Sequence, residues 1–261
     1  MFEKESVAEP PELRGVLPPD VAAVSRQGTG RPVNEDGYLA LTVPAPVLAV
    51  ADGVGGRPGG ARASDLVVRA LRRHVERRVP AGAPPEAVFE GAIQWARRGL
   101  ARVARSCPEL ARMGTTLTAA LVRGRALVVA HLGDSRCYRL RGSRLERLTR
   151  DHTLAEFFVE RGILPPERAS RSRWKHALVR VLNARGEEVR PDLLREEILP
   201  GDTLLLATDG LVEALGEGRI EEILQEARSA AEACGKFVRE AETAAASDDA
   251  TAVVARFPGG A

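Results

Sequence analysis

Apolar positions along this chain fall into two kinds of segment. Short unbroken runs, such as the Val-Leu-Ala-Val-Ala of residues 47–51, show no polar face and have the length of strands buried on both sides. Residues 45–53 read as such a strand, and residues 21–28 and 37–43 also have strand character. Elsewhere the apolar residues recur at helical spacing. Between residues 63 and 79, Leu66, Val67, Ala70, Leu71 and Val75 share one face and arginines fill the other. A second helix is predicted from Pro84, a favourable first-turn residue, through Val88, Ala92, Trp95, Ala96, Leu100 and Val103. The two helices predict one layer whose apolar faces need a sheet to cover.

Strand patterns return at residues 115–122, 125–134, 136–141 and 144–149, with turns at Arg123-Gly124 and Gly142-Ser143, and predict an antiparallel meander. Residues 149–192 are irregular and arginine-rich around a short helical stretch at 154–162, and read as an insertion over one edge. Residues 193–199 and 202–210, two helical segments between Ile220 and Ala245, and a closing strand at 249–257 complete one expected domain, 19–258. Prolines 10, 11, 18 and 19 predict a flexible tail over residues 1–18.

Composition narrows the partners. A net charge of +2 lacks the basic excess that binding a phosphate backbone exploits, so nucleic acid is not expected. Lys4, Lys175 and Lys236 are the only lysines; arginine carries the positive charge, as in chains from GC-rich bacterial genomes. Cys107, Cys137 and Cys234 have no CxxC spacing, and free thiols suit a reducing cytoplasm. The acidic, proline-rich start has neither the basic nor the apolar stretch of a signal peptide, and no run of eighteen apolar residues predicts a membrane span.

The acids carry the chemical signal. Asp52 ends one apolar run, Asp134 and Asp209 follow two others, Asp248 precedes the closing strand, and the pair Glu35-Asp36 precedes residues 37–43. An isolated Asp-Gly between apolar runs reads first as a hairpin turn. Gly53 instead leads into a glycine-rich loop and Gly210 into an amphipathic segment, whereas at Asp134 a strand does follow, and the turn and site readings stand level. Carboxylates withdrawn from water need a cation or hydrogen bonds, so if these acids converge something positive lies among them. Without histidine or cysteine spacing, hard cations such as Mg²⁺ or Mn²⁺ fit better than zinc, and two of them can clamp a phosphoryl group for attack by water. A nucleotide-binding reading of the glycine-rich loop is weaker, because Pro58 occupies the third glycine position of GxGxxG and no Walker lysine follows.

Seven segments, 31–36, 50–56, 114–122, 131–140, 148–153, 207–211 and 247–254, together resemble the metal-dependent protein phosphatase family, the type 2C serine/threonine phosphatases, and its bacterial branch in particular. The resemblance implies an α+β fold, a four-layer αββα sandwich of two antiparallel sheets packed face to face with helices on both outer sides. It implies two Mn²⁺ or Mg²⁺ ions, with a third in some bacterial members, and a water bridging the two ions as nucleophile on a phosphomonoester. Carried over residue by residue, Asp52 is expected between the two ions, with the Gly53 carbonyl on one of them and Asp209 and Asp248 on the other. Glu35 and Asp36 match the acidic pair that orients water, Asp134 matches a residue of the third site, and Arg31 matches the arginine that holds the substrate phosphate.

The same resemblance implies phosphoserine and phosphothreonine proteins as substrates, a cognate serine/threonine kinase, a monomer, and no membrane partner. It also makes residues 149–192 a flap beside the site, whose Arg168, Arg171, Arg173, Arg180 and Arg185 are candidates for docking acidic substrates. Val54 stands where many eukaryotic members have a histidine, leaving the proton donor open among metal-bound water, His131 and His152, the histidines reading first as structural. Trp95 and Trp174 read as packing residues. Two other functions share the fold: a phosphatase dedicated to a partner-switching regulator of sigma-factor control, and a catalytically silent phosphoprotein-binding module.

Overall fold

The computed structural model describes residues 18–54, 58–185 and 188–259, so the predicted tail, apart from Pro18, lies outside the described residues, as does the middle of the glycine-rich loop. One antiparallel sheet runs in the order β1 (Asp20–Arg26), β12 (Ala250–Arg256), β11 (Thr203–Ala207), β7 (Arg136–Arg141) and β8 (Arg144–Arg147). The second runs β10 (Asp192–Glu197), β6 (Ala126–Leu132), β5 (Leu117–Arg123), β3 (Val47–Asp52) and β2 (Asp36–Leu41), again antiparallel throughout. Helices α1 (Gly60–Arg78) and α2 (Pro85–Ser106) cover the second sheet, while α5 (Asp209–Leu215), α6 (Glu217–Glu226) and α7 (Ala230–Thr243) cover the first. The result is the expected four-layer αββα arrangement.

Three apolar layers explain the unbroken runs. In β3, Val47 and Ala49 face the helices α1 and α2, while Leu48 and Val50 face the other sheet. In β11, Leu205 and Ala207 face α5 to α7, while Leu204 and Leu206 meet Leu48 and Val50 between the sheets. A strand buried on both faces needs apolar residues at every position, so alternation disappears from the sequence. Burying each such leucine or valine contributes about 1.5–3 kcal/mol, which puts most of the stability in these layers.

The predicted meander is corrected in one place. β5 and β6 form a hairpin in the second sheet, and β7 and β8 form one in the first, but β6 and β7 do not pair. Residues 133–135 instead carry the chain from one sheet to the other. Gly133 sits at φ 112, where a side chain is disfavoured, and a Cβ there would meet the Thr116 side chain at 2.5 Å. The turn reading of Gly133-Asp134 therefore gives way to a crossing.

The insertion over 149–192 contains α3 (Leu154–Glu160), α4 (Pro166–Ala169) and the short strand β9 (Leu182–Asn183), which pairs with β4 (Gly114–Thr115). The Thr153 hydroxyl caps α3 by accepting from the Glu156 backbone N–H at 3.2 Å. All three cysteines are free, with Cys137 and Cys234 buried. No helix among the described residues is long and apolar enough to cross a membrane.

Candidate metal centre

Strand register assembles the acids. Asp36 begins β2, Asp52 ends β3, and the two are direct cross-strand partners, so both carboxylates leave the same face of the second sheet. Asp209 opens α5 two residues beyond β11, and Asp134 lies on the crossing between the sheets. Like charges so placed repel, and the protein supplies few donors against them. Thr208 Oγ1 donates to Asp36 Oδ2 at 2.9 Å, but Asp36 Oδ1 and Asp209 Oδ1 are buried without a hydrogen-bond partner.

The electrostatics follow from that placement. Burial, opposed by hydrogen bonds from Thr251 and Thr208, pushes the Asp36 carboxyl up to about 7. Burial, then the charges of Asp209, Asp36 and Asp134, holds Asp52 well above the carboxylate range. Asp134 is raised in the same way, by burial and then by Asp209 and Asp151. Burial also disfavours charge on Asp209, yet hydrogen bonds from His176 and Asp52 bring it below its ordinary value. Four acids thus share a site that cannot hold four charges unaided.

Backbone geometry closes one wall. A Cβ on Gly53 would lie 2.5 Å from the Gly60 backbone, so only glycine lets β3 run this close to the start of α1. The Gly53 N–H donates to the Glu35 carbonyl at 3.1 Å, and the Asp52 N–H to Thr116 Oγ1 at 2.9 Å. Glu35 turns its carboxylate to the Gly60 and Ala61 N–H groups of α1, and its pKa is raised by burial.

Arg31 and Asp248 form a second group beside the first. The Arg31 guanidinium donates Nε to Asp248 Oδ1 at 2.7 Å and Nη2 to Oδ2 at 2.6 Å, a two-pronged pairing. Asp249 is a framework acid, accepting the Gly28 N–H at 2.9 Å and the Glu35 N–H at 2.7 Å. The structure thus brings Asp36, Asp52, Asp134 and Asp209 together, and sets Asp248 on Arg31 and Glu35 on α1.

The flap contributes a residue with no sequence signal of its own. His176 Nδ1 lies 3.5 Å from Asp209 Oδ2, and Nε2 lies 3.3 Å from Glu213 Oε1 on α5. Asp134, His176 and Asp209 offer ligand atoms within 4.8 Å of one another and border a cleft of about 620 Å³. His131 and His152 are held elsewhere: His131 between Thr118 Oγ1 and the Arg150 carbonyl, His152 between the Gly133 N–H and Asp192. Burial, then His152, lowers His131 to about 3, so it stays neutral.

Of the flap arginines, Arg180 is engaged, with Nη1 2.7 Å from Asp192 Oδ1, and so leaves the docking set. Arg173 stacks on Trp174, which meets Phe158 edge-on but stays 37% exposed, so its packing is one-sided. Trp95 is 41% exposed with Arg73 over its ring, so it packs on one side only.

Comparison with known proteins identifies the family. Residues 25–250 match the family Protein phosphatase 2C, and the chain belongs to that family. It is 37% identical over 234 residues to the serine/threonine protein phosphatase PstP of Mycobacterium tuberculosis, covering 90% of this chain but only 44% of that relative. It is 32% identical over 232 residues to the serine/threonine phosphatase stp of Listeria innocua, covering 87% of this chain and 92% of that one. The crystal structure of the catalytic domain of PstP in complex with two manganese ions superposes with a TM-score of 0.80 at 35% identity, covering 92% of this chain and 98% of that one.

Proposed function

We propose that this chain is a metal-dependent serine/threonine phosphoprotein phosphatase, its catalytic domain spanning residues 19–258. The observation that carries the reading is the acid cluster with two buried, orphaned oxygens, Asp36 Oδ1 and Asp209 Oδ1. Oxygen-only donors of this charge fit hard divalent cations, Mn²⁺ or Mg²⁺. When bound, two such ions supply the positive charge that activates a water and polarises the phosphoryl group.

The chain's own residues divide the remaining work. Asp52, with Asp36, the Gly53 carbonyl, Asp209 and Asp248, would hold the cations, and Asp134 with Asp209 a further one. Thr208 fixes Asp36 by its hydroxyl, and Thr116 fixes Asp52 through the backbone. Glu35, just before β2, ties the start of that strand to the first turn of α1. Arg31 is the phosphate clamp: its planar fork now grips Asp248, and the same donors suit two oxygens of a phosphoryl group. Phosphoserine and phosphothreonine proteins modified by a cognate kinase are the substrates of this reading.

The experiment is hydrolysis of p-nitrophenyl phosphate and of a phosphothreonine peptide with Mn²⁺, with Mg²⁺ and with chelator, for the natural chain and Asp209→Asn. Turnover that requires metal and collapses in the variant is the expected result. A folded protein that binds the phosphopeptide but turns over neither substrate with any metal would return the silent binding module.

A further inference from the structure

We infer that the groove between the outer faces of α1 and α2 is a second recognition site, and that its ligand is a phosphorylated segment of a protein partner. The choice of a phosphorylated ligand rests on the phosphatase reading above; the groove itself does not.

Four observations carry the inference. Arg73, Arg77 and Arg78 of α1 and Trp95 of α2 line a groove of about 330 Å³, and no carboxylate lines it among the described residues. Gly91 keeps its floor open: a Cβ there would lie 3.1 Å from His74 Cδ2, so a residue that weakens a helix interior here makes room. The positive charge is also uncompensated. Arg69 and Arg72 of the same helix pair with Asp65 and Glu76, whereas the side chains of Arg77 and Arg78 have no ion pair or hydrogen bond among the described residues. Residues 60–106 hold ten arginines against four carboxylates in a chain whose net charge is only +2, so the charge is concentrated on this layer. Lastly, Trp95 is the one large apolar side chain of α1 or α2 that is exposed, and tryptophan beside arginine is the composition of a binding hot spot.

Phosphate is the anion that clustered guanidiniums suit, since each offers a fork of donors and a phosphomonoester carries close to two charges. A peptide that bears it lays a neighbouring side chain on Trp95. An anionic lipid surface fits less well, because insertion needs several apolar side chains and this face has one. The groove is also distant from the metal centre. Gly60 borders that centre, and Arg73 lies about 20 Å further along α1 at the helical rise, so phosphate held here is recognised without being hydrolysed.

The test uses the full chain carrying Trp174→Phe, which leaves Trp95 as its one tryptophan and makes fluorescence a reporter of the groove. In chelator, an acidic phosphothreonine peptide is expected to give a saturable change, with affinity about tenfold or more weaker in Arg77→Gln/Arg78→Gln. Both arginines are exposed, and an unchanged melting temperature verifies the fold of that variant. A response that survives in the variant, an equal affinity for the unphosphorylated peptide or for inorganic phosphate alone, or a response only to phosphatidylserine vesicles overturns the proposal. So does no response at all, and Mn²⁺-dependent hydrolysis of p-nitrophenyl phosphate by the natural chain then leaves the phosphatase reading standing. The reverse result, a phosphopeptide response at Trp95 without turnover, removes that reading and keeps the groove.

Discussion

Strand β11 has an aspartate beyond each end, Asp202 buried and Asp209 part-buried, and the two are treated in opposite ways. Asp202, before the strand, accepts Arg141 Nε at 2.9 Å and Nη2 at 2.8 Å, and the Leu199 N–H at 2.8 Å. Asp209, after it, has an orphaned oxygen and acids for neighbours. Burial of a carboxylate is therefore not the mark of a site. The mark is a carboxylate set among other acids with a buried oxygen that no group of the protein pairs.

Exchanging the two losses tests this contrast most strongly. Asp209→Asn is expected to lower turnover by roughly 10²–10³-fold or more, the scale of losing one preorganised electrostatic group. Asp202→Ala is expected to keep turnover and lose about 2–3 kcal/mol. That is less than a fully buried pair would lose, because Arg141 is 41% exposed. For a domain of this size the loss corresponds to a melting point lower by about 5–10 °C. Loss of activity in Asp202→Ala at temperatures where it is folded would end the distinction.

A pH titration sharpens it. In chelator, Asp36 titrates at about 7 when folded, against about 3.9 for an unfolded aspartate. The folded state therefore holds the proton more tightly, and its contribution is full below about pH 4 and lost as pH rises through about 7. Asp52 and Asp134 shift in the same direction. The metal-free melting temperature should fall as pH rises across this window. Mn²⁺ at a hundred times its dissociation constant should restore about 2.7 kcal/mol at neutral pH. A flat profile in chelator would mean that the acids are compensated within the protein.

The smallest effect is expected at the surface. Neutralising Arg168, Arg171 and Arg173 should raise KM for an acidic phosphoprotein a few-fold, in keeping with about 0–1 kcal/mol per exposed charge, and leave p-nitrophenyl phosphate unaffected. Equal change on both substrates would place these arginines in the site rather than at its rim.

The strand-end acids were legible because the signal is local: an aspartate that closes an apolar run is conspicuous within ten residues. Two-sided burial of strands was legible for a similar reason, since it makes a run such as 47–51 wholly apolar, while the four-layer stacking followed from the resemblance. Sheet membership was not. A tight turn and a crossing between sheets look alike in sequence, and the difference at Gly133 is set by which partners β6 and β7 find far along the chain. His176 and Glu213 were invisible for the same physical reason, because they meet through the folding of the flap onto α5. Asp249 likewise holds residues more than two hundred positions away.

The crossing at residues 133–135 has a mechanical meaning. Asp36 and Asp52 ride on one sheet, Asp209 follows a strand of the other, and Asp134 sits on the bridge between them. Ions held among them would act as a gauge of how the two sheets are stacked. The leucines and valines of the middle layer set that spacing from a distance, so a change such as Leu206→Ala, which touches no phosphate, would be felt as a misfit between ligands and ion.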